Sequence, residues 1–374
     1  MHRLLPVAPV VCLSLCVIVA TTAPALGGTV PPAAPKRVES DVTQRIAAAA
    51  QALLATLDDG GRAKIQFPFD GPQKAKWSNF PSGIFKREGV RLGDLTTAQR
   101  TAAMALLSAA FSPAGYQKIV DIMHGDEALR KNDTGPGPGG GPPPGPPPPG
   151  APGPGPGGPG GPRRVVFGED EYYLAFLGTP SVTAPWMIQF GGHHLAINLT
   201  LAGREATLAP SLTGAQPARF TIEGRTARPL GNENDKAFAL VNALDEAQRR
   251  QAVLAYAVSD LVLGPGQDGR TIQPEGIRAS ALTPAQQTML LDLVSEWTGI
   301  MDGTFAGPRM AEIRSHLADT YFAWSGPTTN GSMAYFRVQG PTLVIEYAPQ
   351  RSIDHIHTIY RDPTNDYGAK YVSR

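Results

Sequence analysis

Apolar residues recur at helical spacing over residues 39–57, where Val42, Ile46, Ala49, Ala50, Leu53 and Leu54 share one face. The cluster Asp58-Asp59-Gly60-Gly61 reads as the stop of that helix. Three later stretches repeat one pattern: Leu95-Thr96-Thr97-Ala98-Gln99, Leu244-Asp245-Glu246-Ala247-Gln248 and Leu282-Thr283-Pro284-Ala285-Gln286. In each, Thr or Asp can cap a helix start while Gln three residues on reaches back, and Pro284 falls where a missing N–H costs nothing. The spacing predicts helices over about 96–111, 245–257 and 283–301, with shorter ones near 113–123, 233–242 and 309–317. We read the recurrence as reuse of a good start signal. Between the first two helices, Phe67-Pro68-Phe69-Asp70-Gly71 and Trp77-Ser78-Asn79-Phe80-Pro81 are too rich in Pro and Gly for a long element. Their aromatics need burial, which predicts an ordered loop wrapped on the core.

Further on, the period changes to two. Residues 172–178, 187–190, 194–201, 220–223, 320–324, 333–339, 343–347 and 354–360 read as strands, and the turns Asn330-Gly331 and Gly340-Pro341 favour an antiparallel meander. The expected class is α+β, an antiparallel sheet core with N-terminal and central helices packed on it as one compact unit. Alternation sorts the faces. Leu343, Ile345 and Tyr347 should meet the core and send Glu346 to the other side, while Tyr335 and Arg337 lie opposite Ala334, Phe336 and Val338.

Composition alters this picture in two places. Residues 1–25 read as a secretory signal peptide: Arg3, an apolar run from Pro9 to Ala20, and Ala23-Pro24-Ala25 as a cleavage site. Both cysteines, Cys12 and Cys16, fall in this leader, so export would leave a chain without disulfides, thiolate ligands or a cysteine nucleophile. Residues 36–374 form the expected domain, interrupted at 135–162 by a tract that is Gly or Pro throughout except for Ala151. Such a tract has nothing to bury and reads as a flexible insertion. The formal net charge of +1 and the absence of a Lys/Arg run give no footprint for nucleic acid, and no stretch beyond the leader approaches the length of an integral membrane span. The expected location is secreted or periplasmic.

The candidate chemistry lies with histidine. His355 and His357 alternate with Ile356, so both imidazoles leave one strand face, and Tyr335, Arg337, Glu346 and Arg361 are expected on the same sheet surface. Gly191-Gly192-His193-His194 supplies a second pair. His194 falls on the polar side with Ala196, Asn198 and Thr200, and His193 on the apolar side as a core histidine, unless the glycines shift the register. This set predicts a divalent metal, zinc by preference, held by His194 (or His193), His355 and His357. Glu346 is read as fourth ligand or general base, with Tyr335 beside it and Arg337 and Arg361 orienting an anionic or carbonyl oxygen. Hydrolysis is favoured over oxidation, on an unidentified small-molecule or polymer substrate. Histidines acting as metal-free acid and base, a solvated sheet face, and a non-catalytic binding module for an acidic or sugar ligand are the competing readings. Nucleophile-elbow, phosphate-loop and His-Glu-x-x-His signatures are missing.

Taken in order, Phe67-Pro68-Phe69-Asp70, Trp77-Ser78-Asn79, Gly192-His193-His194-Leu195, Phe322-Ala323-Trp324-Ser325-Gly326 and His355-Ile356-His357-Thr358, followed by Arg361, Pro363 and Asp366-Tyr367-Gly368, resemble domain-of-unknown-function family 3500. The resemblance spans nearly the whole chain beyond the leader apart from the Gly/Pro tract. It implies export and a single conserved unit, and supplies no catalytic scheme. Replacing residues 135–162 by a short Gly/Ser linker should leave the melting temperature nearly unchanged in a thermal scan.

Overall fold

The computed structural model describes residues 42–132 and 165–372; the expected leader and the Gly/Pro tract lie outside the described residues. Among the described residues the sheet has twelve strands, of which eight are long: β1 (Tyr173–Leu177), β2 (Trp186–Gly192), β3 (Leu195–Ala202), β4 (Ser211–Ala215), β5 (Tyr321–Ser325), β6 (Tyr335–Gly340), β7 (Leu343–Pro349) and β8 (Ile356–Arg361). Their order is β1-β2-β3-β4-β8-β7-β6-β5, two antiparallel four-stranded meanders joined edge to edge where β4 pairs with β8. Each meander follows helices: α1 (Val42–Thr56), α2 (Asp59–Ile65), α3 (Thr97–Ala110) and α4 (Pro113–Asn132) precede the first, and α5 (Gly231–Ala243), α6 (Glu246–Ala252), α7 (Pro284–Thr298) and α8 (Gly303–Ser315) the second. The class is α+β, with a mostly antiparallel sheet.

The pleat divides the sheet as its alternation predicts. Phe176, Ile188, Ile197, Trp324, Phe336, Ile345 and Tyr360 point to one face and share a core with helix residues such as Ile46, Leu106, Leu240 and Leu293. The opposite face carries Gln189, Asn198, His357, Arg361, Glu346 and Arg337. It is not solvated: two irregular segments, 66–89 and 253–276, cover it, and Arg337, Glu346, His357 and Arg361 are all buried. The first segment is the aromatic loop expected to wrap the core. Trp77 packs with Ala196, Leu212 and Ile359, and Phe67 and Phe69 pack on Ala175, Leu177 and Met187.

The two halves are built alike. In each, the chain leaving the short helix runs parallel to the first meander strand, at Gln66 and Phe67 beside β1 and at Val253 beside Trp324 of β5. In each, the covering segment ends at Glu-Gly, and a two-residue strand then pairs antiparallel with the same meander strand, Val90–Arg91 with β1 and Ile277–Arg278 with β5. A 3-10 turn and a capping box follow, at Thr96/Gln99 and Thr283/Gln286. Registers correspond as well, since Ala175 faces Gln189 and Gln189 faces Asn198, as Ala323 faces Arg337 and Arg337 faces Glu346. Two of the three repeated start signals therefore occupy equivalent places in two similarly built halves. The third, at Asp245, is a capping box on the short helix α6, which ends at Ala252 because Val253 is drawn against β5.

Local differences from the sequence reading have local causes. Asp58 does not stop a helix for good; its carboxylate accepts the Gly61 N–H at 2.7 Å and starts α2. Helix α4 runs on to Asn132, and α8 begins at Gly303, capped by Asp302, with Pro308 inside it. Strand β4 was not anticipated, and His193 and His194 form the turn between β2 and β3 rather than the start of a strand.

Gly89 and Gly276 occupy equivalent corners at φ 108° and 94°, and a Cβ there would stand 2.4 Å from the Leu174 carbonyl oxygen and 2.1 Å from that of Phe322. Gly89→Ala and Gly276→Ala should each destabilise the protein by at least ~1–3 kcal/mol in chemical denaturation, whereas Gly303→Ala, with open space around it, should be nearly neutral.

Candidate metal centre

Three imidazole Nε2 atoms meet at the seam between the two meanders. His194 Nε2 lies 2.9 Å from His355 Nε2, which lies 3.1 Å from His357 Nε2. His357 sits in β8 opposite Gly214 of β4, on the covered face. His355 is one residue ahead of β8, at the half-exposed edge of the cluster. His194 arrives from the β2–β3 turn with φ 60°, an uncommon conformation for a residue with a Cβ. Two backbone hydrogen bonds hold it there: its N–H donates to the Asn79 carbonyl at 3.1 Å, and its own carbonyl accepts the Gly214 N–H at 2.7 Å. A Cβ on Gly214 would come within 3.0 Å of His194 Cδ2, so the glycine lets the ring lie against β4.

Carboxylates stand at both ends of the histidine row. Asp126, buried on α4, meets His193 Nδ1 at 2.6 Å and also accepts the Gly168 N–H, and the His193 ring lies tilted against that of His194, with centroids 3.7 Å apart. At the other end Asp260 Oδ1 lies 3.9 Å from His357 Nδ1, on the ring edge opposite the cluster. The Asn79 amide nitrogen is 3.2 Å from His357 Nε2. Arg87 fastens the turn from below, donating to the carbonyls of Gly192, Ser78 and Phe80; burial pushes its guanidinium down to about 10.

The hydrogen bonding of the trio is short of protons. With the Asn79 amide donating, His357 Nε2 is an acceptor, and whichever neutral tautomers His194 and His355 adopt, only one of the two Nε2 contacts can be a linear hydrogen bond. A cation among the three would engage every lone pair at once. The spacings are close to the ~3.3 Å between nitrogens that each stand about 2.0 Å from a tetrahedral ion. Charge state agrees. Burial, reinforced by the neighbouring imidazoles His193, His357 and His355, holds His194 well below the usual histidine range, and burial with His357 pushes His355 down to about 3. Burial also lowers His193, against the opposing pull of Asp126. Neutral imidazole is the ligating form.

Among the described residues, two groups bring ligating atoms within 4.8 Å of one another: His194, His355 and His357, and Asp126, His193 and His194. His193 thus joins Asp126 rather than the trio. Glu346 belongs to neither group. It shares the sheet face with His357, but its carboxylate accepts the N–H groups of Val262 (2.9 Å) and Leu263 (2.7 Å) and the Tyr335 hydroxyl (2.6 Å). Arg337 is paired with Glu275, and Arg361 with Asp268, Asp366 and the carbonyls of Leu263 and Gly264. These four residues anchor the covering segment and the C-terminal turn. Asn79, Asp126 and Asp260 were not singled out from sequence; only Asn79 lay in a stretch already marked, by its aromatic neighbours.

Because the folded protein holds His193, His194 and His355 below their unfolded values, the unfolded chain binds protons more readily. Stability is therefore lost as pH falls through about 6.5, the unfolded value. Thermal scans of the metal-free protein should show the melting temperature dropping from pH 7 toward pH 5, and a His194→Gln, His355→Gln double variant should flatten that slope.

Among the described residues no helix is long and apolar enough to cross a membrane. No curated protein and no solved structure matches the chain. A family model matches residues 39–369, spanning both meanders, the covering segments and every histidine of the cluster, and the chain belongs to that family, Protein of unknown function (DUF3500).

Proposed function

We propose that the chain is an exported metalloenzyme whose divalent ion is held by His194, His355 and His357. The convergence of three Nε2 atoms at 2.9 and 3.1 Å carries this reading. Three neutral nitrogen ligands leave a divalent ion its full charge and an open position, the arrangement that suits zinc as a Lewis acid toward a carbonyl or a water molecule, and hydrolysis is the reaction it favours. The chain's own residues do the rest. Asp260 and Asp126 orient His357 and His193 from outside the trio, Asn79 sits beside His357 Nε2, and the half-exposed edge at His355 is the way in. Phe80 and Ile353, both exposed and each within two residues of a cluster member, offer an apolar rim to the non-reacting part of a substrate. Export agrees with a site built without cysteine, since both cysteines fall in the expected leader.

Elemental analysis of the purified protein should return close to one equivalent of a divalent transition metal. His355→Ala, which removes the ligand at the open edge, should reduce it to background without unfolding the chain. Wild-type protein that remains metal-free after dialysis against zinc, with affinity no tighter than millimolar, would end the metalloenzyme reading.

A further inference from the structure

The two similarly built halves place two equivalent cavities under the two covering segments, and the cavities differ. In the first half the space bounded by Glu88, Gln189 and Tyr173 is closed to about 20 Å³ by the 76–78 stretch, where the Trp77 indole N–H donates to the Tyr367 hydroxyl. In the second half the corresponding Glu275 and Arg337 border an open cleft of about 610 Å³, lined also by Tyr256, Ser259, Asp260 and Gln273. One copy of the cavity has been filled with side chains and the other kept empty.

We propose that this second cleft binds a neutral oligosaccharide. Tyr256 stands at its mouth with half of its surface exposed (52%), an aromatic face without a protein partner among the described ring contacts. Its hydroxyl is held by both Glu275 oxygens at 2.8 and 2.7 Å, so the ring is fixed rather than free to fold away. Glu275 is in turn paired with Arg337 at 2.8 Å. Arg337 is 4% exposed, and its Nε N–H has no acceptor among the described residues.

These features choose among ligand classes. An anion would face the Asp260 and Glu275 carboxylates. A cation could pair with those carboxylates but offers no acceptor to Arg337 or to the Gln273 amide. A sugar hydroxyl donates to a carboxylate and accepts from an N–H at once, and the apolar face of a pyranose covers an exposed aromatic ring. The cleft also reaches the histidine cluster, because Asp260 lines it and touches His357. An occupant of the cleft would lie across the His357 ring from the proposed metal, and its binding rests on residues outside the trio.

The test is calorimetry of the full exported chain with hexasaccharides of β-1,4-glucan, β-1,4-xylan, β-1,4-mannan and chitin, and with spermidine as the cationic probe. At least one hexasaccharide should bind. Tyr256→Ala should weaken that binding tenfold or more and Tyr256→Phe, which keeps the ring, by less than threefold, with the melting temperature of both variants unchanged. His355→Ala should leave saccharide affinity intact, which separates this site from the metal centre. Binding of none of the four saccharides, binding indifferent to Tyr256→Ala, or tighter binding of spermidine than of any saccharide would each overturn the proposal.

Discussion

Charged side chains on the inner surface of the sheet are buried, and burial of a charge is tolerated only where it is paired and hydrogen-bonded. Glu346 is fully buried, and its three donors are the backbone of Val262 and Leu263 and the Tyr335 hydroxyl; burial still raises its carboxyl above the usual range. Arg361 donates to the Leu263 and Gly264 carbonyls, and Gln339 to that of Ile272. The sheet face and the segment over it are therefore one unit. This irregular stretch is ordered because its backbone completes the hydrogen bonding of residues beneath it. Losing one partner of such a set typically costs about 3–5 kcal/mol. The same dependence brings Asp260 to His357, and, from the other segment, Asn79 to both His194 and His357.

Much of this was legible in the sequence, because period-two alternation survives even where both faces are buried. Leu195, Ile197, Leu199 and Leu201 lie in the main core, while Ala196 packs on Trp77 of the covering segment and Asn198 meets Gln189, which bonds Gln73 of that segment, as the alternation requires. The capping boxes were legible for a similar reason, since the chemistry is contained in four consecutive residues. What could not be read is what depends on a distant partner. Ser211-Leu212-Thr213-Gly214-Ala215 has one large apolar residue and no strand signature, yet it is the strand that joins the meanders, with Thr213 and Thr358 hydroxyls paired at 2.7 Å across the seam. Glu346, Arg337 and Arg361 looked like a reactive set because charged residues at strand spacing carry the same pattern whether they face a substrate or a loop backbone. Asp126 sits on a helix without any local motif, and only the fold brings it to His193.

A difference between the two similar halves explains why one centre forms and not two. The counterpart of the His193-His194 turn is Pro341-Thr342, the turn between β6 and β7, and there the Thr342 carbonyl is taken by the buried guanidinium of Arg309. The second half contributes its histidines instead from β8 and the residue just ahead of it, at the strand that meets the first half. The trio is thus assembled from both halves: His194 from the first turn, His357 from the last strand and His355 from just ahead of it, with one covering segment supplying Asn79 and the other Asp260. Neither half holds all three histidines alone, so formation of the seam between β4 and β8 is a condition for the cluster. The left-handed backbone at His194, a conformation that costs about 1–3 kcal/mol without compensation, is held by Asn79 from one side and by Gly214 of the seam strand from the other. The same seam that closes the sheet therefore presses three imidazoles together before any ligand arrives, and a site organised in that way gives up little further conformational freedom on binding.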